Sequence, residues 1–148
     1  MNIREQALAF ATKAHKGQFR KNSKLEYITH PIAVAEIAEK LYVDYLGTDK
    51  TDDVYVAAIL HDVIEDTKFT YEDIEKEFDG FIANRVKGLT RGEGESYFDM
   101  IMRISEGYFM DAIIKLADNI HNSSDLKEGS LKDKYRFSQH ILRSRFET

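Results

Sequence analysis

The adjacent pair His61-Asp62 falls inside residues 56–64, a run in which every other residue is apolar or small. An ionised carboxylate in such a run is costly unless it is paired or coordinates a metal, so Asp62 beside an imidazole reads as part of a ligand set. Partners are available elsewhere in the chain. His30 stands at a helix mouth in Thr29-His30-Pro31, and Asp118 lies in the apolar stretch 113–120. Together, His30, His61, Asp62 and Asp118 offer two imidazoles and two carboxylates, leaving coordination positions for water and substrate oxygens. An oxygen-rich, open octahedral site of this kind suits manganese, with iron, zinc and magnesium as other divalent candidates. Glu65 and Asp66 follow one turn later, and residues four apart share a helix face, so His61 is expected above Glu65 and Asp62 above Asp66. A bound divalent cation acidifies its water and polarises a phosphoryl oxygen, while a nearby carboxylate orients that water or takes its proton. Glu65 and Asp66 are placed for that catalytic task, and the expected chemistry is metal-assisted hydrolysis.

These residues need a scaffold, and the pattern around them is helical. The chain has one proline, Pro31, and its glycines fall between apolar-periodic segments. Residues 3–16 place Ala7, Phe10, Ala11 and Ala14 at helical spacing before Gly17. Residues 17–29 are polar and basic, without a period, and read as a loop. Thr29 is the expected N-cap of the next helix, with Pro31 in its first turn and Ile32, Ala35, Ile37, Ala38 and Leu41 as its apolar stripe. A third helix is expected from Thr51, where Asp52 and Asp53 suit the dipole, straight through the His-Asp pair to about residue 66. Thr70 should cap residues 71–78, with Gly80 ending that helix. Further helices are predicted over 81–89, 97–105, 109–122 and 131–146, with a glycine-containing loop at 90–96. The fold class read from this is all-α, a single-domain bundle of about seven helices over residues 1–148.

Composition narrows the function classes. Hydrophobic residues make up 43% and charged ones 32%, which supports a globular core, and there is no cysteine to form a thiolate site or a disulfide. The net charge of −5 opposes sequence-independent binding to a duplex phosphate backbone, although lysines and arginines gathered in one pocket would still accept a small anion. No apolar stretch reaches the ~20 residues that span a bilayer, so the expected setting is cytoplasmic, with no membrane partner. Nothing in the sequence sets an oligomeric state.

Other side chains have plainer readings. His15, His121 and His140 show no partner pattern and read as structural or surface groups. Phe78, Phe81, Phe98, Tyr108 and Phe109 read as core. Tyr27, three residues before His30, is expected to line its pocket, and Lys115 can carry its ammonium past apolar neighbours.

Four blocks in order carry a resemblance: HKGQFRK at 15–21, YITHP at 27–31, AAILHDVIEDT at 57–67 and KLADNIHN at 115–122. The sequence resembles the HD-domain hydrolases of the RelA/SpoT alarmone group, including the small stand-alone enzymes. The resemblance implies an all-helical fold and a manganese ion held by His30, His61, Asp62 and Asp118. It also implies hydrolysis of (p)ppGpp at the 3′ position to pyrophosphate and GDP or GTP, a reaction that would serve either the stringent response or the neutralising of a toxic synthetase, between which the sequence does not choose. Under it, Glu65 and Asp66 activate water, Arg20 and Lys21 face the nucleotide, and Asn122 approaches the ribose. Tyr27 and Lys115 complete the candidate substrate contacts. Where the longer enzymes usually carry arginine after the metal-binding aspartate and a threonine near the block's end, this chain has Asn119 and Asp125. The segment 90–107 is short beside many relatives, and with no synthetase segment the chain is expected to degrade the alarmone and not to make it. Two alternatives stay open at this point: the same chemistry on another nucleotide, such as a dNTP or NADPH, and a non-catalytic nucleotide-binding module.

Overall fold

A computed structural model describes residues 1–148 apart from Asn22, Asp125, Lys127 and Thr148. Its described residues form α1 (Ile3–Ala14), α2 (Thr29–Leu46), α3 (Asp52–Ile59), α4 (Val63–Asp66), α5 (Tyr71–Glu77), α6 (Gly80–Leu89), α7 (Tyr97–Glu106), α8 (Phe109–Ser123) and α9 (Ser130–Arg143). The fold is all-α. The sole strand-like pairing among the described residues is an isolated bridge between Phe19 and Glu26.

Helix α8 is the axis of the bundle. From Met110 to Asn119 all its residues but Lys115 are buried, which a helix achieves only when neighbours cover it nearly all round. Helix α2 packs on α3 and on α8, α9 covers α8 from another side, and α7 packs against both α8 and α9. Small residues let the helices that carry site residues approach closely. Ala35 and Ala38 on α2, Ala57 and Ala58 on α3 and Ala117 on α8 are all fully buried, with Val34, Val54, Ile113 and Ile114 filling the space between. The sites of His30, His61 and Asp118 are thereby fixed by core packing.

Several helix ends follow their sequence signals. Asn2 accepts from the Glu5 N–H, Thr70 forms a reciprocal capping box with Asp73, and Asp79 and Ser96 cap α6 and α7. Other ends differ from expectation. Thr29 is the first residue of α2 and not its cap, because its hydroxyl donates back to the Glu26 carbonyl at 2.8 Å. Gly80 opens α6 and does not close α5, since the Asp79 side chain holds the Ile82 N–H. Phe98 and Tyr108 are 46% and 39% exposed, so they are not core residues.

The difference that matters for function is a break in the expected third helix. The Ala58 carbonyl, which would serve Asp62 in an uninterrupted helix, accepts from the His61 backbone N–H at 3.3 Å and lies 2.7 Å from the His61 ring Nδ1. The Val63 N–H likewise reaches back only to Leu60. A side chain competing for a backbone carbonyl tightens residues 60–62 into a turn between α3 and α4, which brings the helix count to nine among the described residues.

Candidate metal centre and catalytic groove

Four donor atoms from three separate stretches of chain converge. His30 Nε2 lies 2.9 Å from Asp118 Oδ1 and 3.8 Å from Asp62 Oδ2, while His61 Nε2 lies 3.0 Å from Asp62 Oδ2 and 3.6 Å from Asp118 Oδ1. Adjacent ligands of an octahedral ion with bonds of about 2.1 Å are about 3.0 Å apart; one ligand atom each of His30, His61 and Asp118 lies within 4.8 Å of the other two, while Asp62 groups in the same way with Glu65 and Asp66. His30, His61 and Asp118 are buried, and the Asp62 side chain is 14% exposed.

Hydrogen bonding sets the histidines for the same task. A carbonyl can only accept, so the 2.7 Å contact to Ala58 places a proton on His61 Nδ1 and turns Nε2, the other ring nitrogen, toward the two carboxylates. That Nε2 is buried and makes no hydrogen bond, despite its closeness to two carboxylates. A buried ring nitrogen without a hydrogen-bond partner, aimed between two acids that favour its protonation, is a position where a divalent metal can take the place of that proton, and the donor set of two imidazoles and two carboxylates fits one. His30 is backed by His121, their Nδ1 atoms 2.8 Å apart, so its Nε2 is also available when its own Nδ1 carries the proton.

Charge in the cluster is balanced across it. Burial alone would lower His61 and raise both acids, but the contacts outweigh it: Asp62 and Asp118 hold His61 well above the usual imidazole range, and His61 brings Asp62 down to about 2. Asp118 is held well below the carboxylate range against its burial, first by Lys115, whose Nζ donates to Asp118 Oδ2 at 2.8 Å. The other Asp118 oxygen accepts from Asn122 Nδ2 at 3.0 Å.

The loop before α2 folds over this cluster. Tyr27 donates its hydroxyl to Asp62 Oδ2, and burial followed by the Asp62 charge keeps that phenol protonated far above neutrality. The His15 ring lies 4.8 Å from Tyr27 and its Nδ1 is 2.9 Å from Gln18 Oε1; Gln18 in turn donates to the Asp66 carbonyl at 2.9 Å. Glu65 and Asp66 each bring a carboxylate oxygen within 4.8 Å of one on Asp62. Asp66 is exposed as a residue, yet partial burial of its carboxyl, then the charges of Asp62 and Glu65, lift it to about 6. Glu65 is held by the backbone N–H of Arg91 at 2.9 Å. Beside the cluster opens a groove of about 790 Å³ whose walls include Arg20, Lys21, Tyr27, His121, Asn122 and Tyr135. Arg20 spans it, donating to Asn122 Oδ1 at 3.1 Å.

Comparison with known proteins bears on this geometry. A family model described as HD domain matches residues 7–106, more than half of the chain, and takes in His30, His61 and Asp62. The chain belongs to the HD-domain family. Among relatives of this HD-domain chain, a Haemophilus influenzae protein named guanosine-3′,5′-bis(diphosphate) 3′-pyrophosphohydrolase is 40% identical over 138 residues, covering 85% of this chain. The Escherichia coli K12 bifunctional (p)ppGpp synthase/hydrolase SpoT is 38% identical over 143 residues, covering 88% of this chain. In both cases the match takes in 19% of the relative, so the chain spans about a fifth of the length of these curated proteins. A solved structure described as a metazoan ortholog of SpoT that hydrolyses ppGpp and plays a role in starvation responses superposes with a TM-score of 0.77. It is 26% identical, and the match covers 99% of this chain and 86% of that one.

Within the HD-domain chain, the structure brings Arg20, Lys21, Tyr27 and Asn122 to one groove, next to the convergent His30, His61, Asp62 and Asp118. Lys115 is directed at Asp118 and is not a wall of that groove. Tyr27 has a second role beyond lining, since its hydroxyl fixes Asp62. Asn119 is buried, accepting from the Tyr97 hydroxyl and donating to the Lys115 carbonyl, so its difference from the longer enzymes faces the α7 side of the core. Asp125 lies outside the described residues. Sequence reading missed His15, His121 and Arg91. For His121 a signal existed: positions 118, 121 and 122 share one helix face, so fixing Asp118 at the cluster brings His121 and Asn122 with it.

Proposed function

We propose that this HD-domain chain is a metal-dependent hydrolase of (p)ppGpp that removes the 3′-pyrophosphate, giving pyrophosphate and GDP or GTP, with manganese as its working ion. The observation that carries the reading is the cluster in which His30 and His61 lie against Asp118 and Asp62, with Glu65 and Asp66 grouped beside Asp62, in a chain 40% identical to a named 3′-pyrophosphohydrolase. His30, His61, Asp62 and Asp118 would hold the ion. A divalent cation there supplies Lewis-acid polarisation of a phosphoryl oxygen and a more acidic water.

The chain's own residues do the rest. Glu65 and Asp66 orient the attacking water and receive its proton; the elevated Asp66 carboxyl, near 6, matches a base that must accept a proton near neutrality. Water adds to the phosphorus joined to the ribose 3′ oxygen, that P–O bond breaks, and a proton restores the 3′ hydroxyl. Arg20 and Lys21 line the groove where phosphates and the base would lie, and a guanidinium can both pair with phosphate and stack on a purine. Asn122, tied to Asp118 and Arg20, sits where a ribose hydroxyl between ion and base would need a polar partner. Tyr27 covers the cluster and holds Asp62 in place. Because Asn119 is satisfied inside the core, its identity gives no reason to prefer a dNTP or NADPH over a phosphorylated guanosine.

The test is incubation of the purified chain with ppGpp and manganese, followed by separation of the products. Pyrophosphate and GDP in equal amounts are expected, with no release by Asp62→Ala. No turnover of ppGpp with any divalent metal would overturn the proposal.

A further inference from the structure

The Arg91 N–H that holds Glu65 comes from the turn between α6 and α7, and that turn is tied down from α7. Arg103 grips Glu95 with two bonds, Nε to Oε2 at 2.7 Å and Nη2 to Oε1 at 2.9 Å. The same guanidinium donates to the carbonyls of Gly88 at 2.7 Å and Thr90 at 3.2 Å, which close the C-terminal end of α6. Glu95 passes the constraint inward. Its Oε1 accepts from the Gly92 N–H, its backbone N–H reaches the Gly92 carbonyl, and its own carbonyl accepts from Arg91 Nε. Arg91 is therefore held through its side chain and through the residue after it, and its backbone N–H points at Glu65 Oε1.

We infer that Arg103 is a positioning residue for the reaction: clasped to Glu95, it shapes residues 90–95 so that the Arg91 N–H fixes the carboxylate of Glu65. The inference rests on the reading of Glu65 as a water-orienting group. Arg103 touches neither the donor cluster nor the groove, so its influence reaches the site only through the turn. Charge supports the clasp: Arg103 first, then the Gly92 N–H, holds Glu95 down to about 2, so Glu95 remains an acceptor throughout the working range. The geometry also demands arginine. One planar guanidinium here serves a carboxylate on one edge and two carbonyls on the other, a pattern the single ammonium of lysine does not reproduce.

Arg103 is 41% exposed at its side chain, so the core does not depend on it, and helix α7 is anchored by buried Met100, Ile101 and Ile104. A residue needed only for stability would lower activity in proportion to the fraction unfolded and would leave the Arg91 amide no more mobile than its neighbours.

The experiment is amide hydrogen exchange on the full chain, read at Arg91, for wild type, Glu65→Ala, Arg103→Lys and Glu95→Gln, with kcat and KM measured on the same samples. Exchange at Arg91 should be at least tenfold faster in all three variants, while core amides such as Ile113 keep wild-type protection. In Arg103→Lys and Glu95→Gln, kcat should fall about tenfold with KM unchanged. Wild-type exchange at Arg91 in both clasp variants would overturn the inference, as would a uniform loss of protection across the core in both. The exchange readout needs no turnover, so a chain that leaves ppGpp intact refutes the functional reading while the tether is still decided at Arg91.

Discussion

The hydroxyl of Tyr27 donates to Asp62 Oδ2, so a residue of the loop before α2 sets the orientation of a carboxylate in the turn after α3. Behind metal-ligating carboxylates in general, partners of this kind alter metal affinity by about 10–100-fold when lost. Tyr27→Phe keeps the ring against His15 and His30 and removes only the donor. Its manganese affinity should fall about tenfold at unchanged secondary structure, measured by calorimetric titration. Wild-type affinity would show that Asp62 is held by its neighbours alone.

Lys115 and Asp118 form a buried pair, their side chains 14% and 7% exposed. Removing one member of such a pair costs about 3–5 kcal/mol because the other charge is stranded. In Lys115→Met the stranded group is Asp118, which a divalent ion can neutralise in place of the lysine. The variant should therefore lose about 3 kcal/mol in the presence of a chelator and clearly less with saturating manganese, by denaturant unfolding. Equal losses in the two conditions would mean that no ion reaches Asp118.

Away from the site, Asp111 is buried beside Arg85 Nε at 3.3 Å, with Gly88 leaving room for its carboxylate. Burial outweighs the pull of Arg85 and Arg103 and lifts it to about 7. The folded state therefore holds this proton more tightly than the unfolded chain, whose aspartate titrates near ~3.9. Stability from this group is greatest at acid pH and declines as pH rises from about 4 to about 7, by up to about 1.4 kcal/mol per pH unit. Asp111→Asn should show a smaller drop in Tm between pH 5 and pH 8 than wild type, and parallel Tm profiles would refute the assignment.

The all-helical fold was legible because apolar spacing along α2, α7 and α8 is set by the core those helices share. The donor residues were legible for the opposite reason, being polar where burial punishes polarity. The break at residues 60–62 was not visible, since it arises from the His61 ring taking the Ala58 carbonyl, a choice that apolar periodicity does not encode. Nor were the supports from far along the chain. Arg91 meets Glu65 through its backbone N–H, which any residue but proline would carry there, and His121 reaches His30 across 91 positions of sequence.

The most direct measurement is anomalous diffraction at the manganese absorption edge from crystals grown with that ion. One peak per chain is expected, bonded to His30 Nε2, His61 Nε2, Asp62 and Asp118, with Glu65 and Asp66 beyond bonding distance. A peak seated on Asp62, Glu65 and Asp66 instead, or no peak at saturating manganese, would contradict the account.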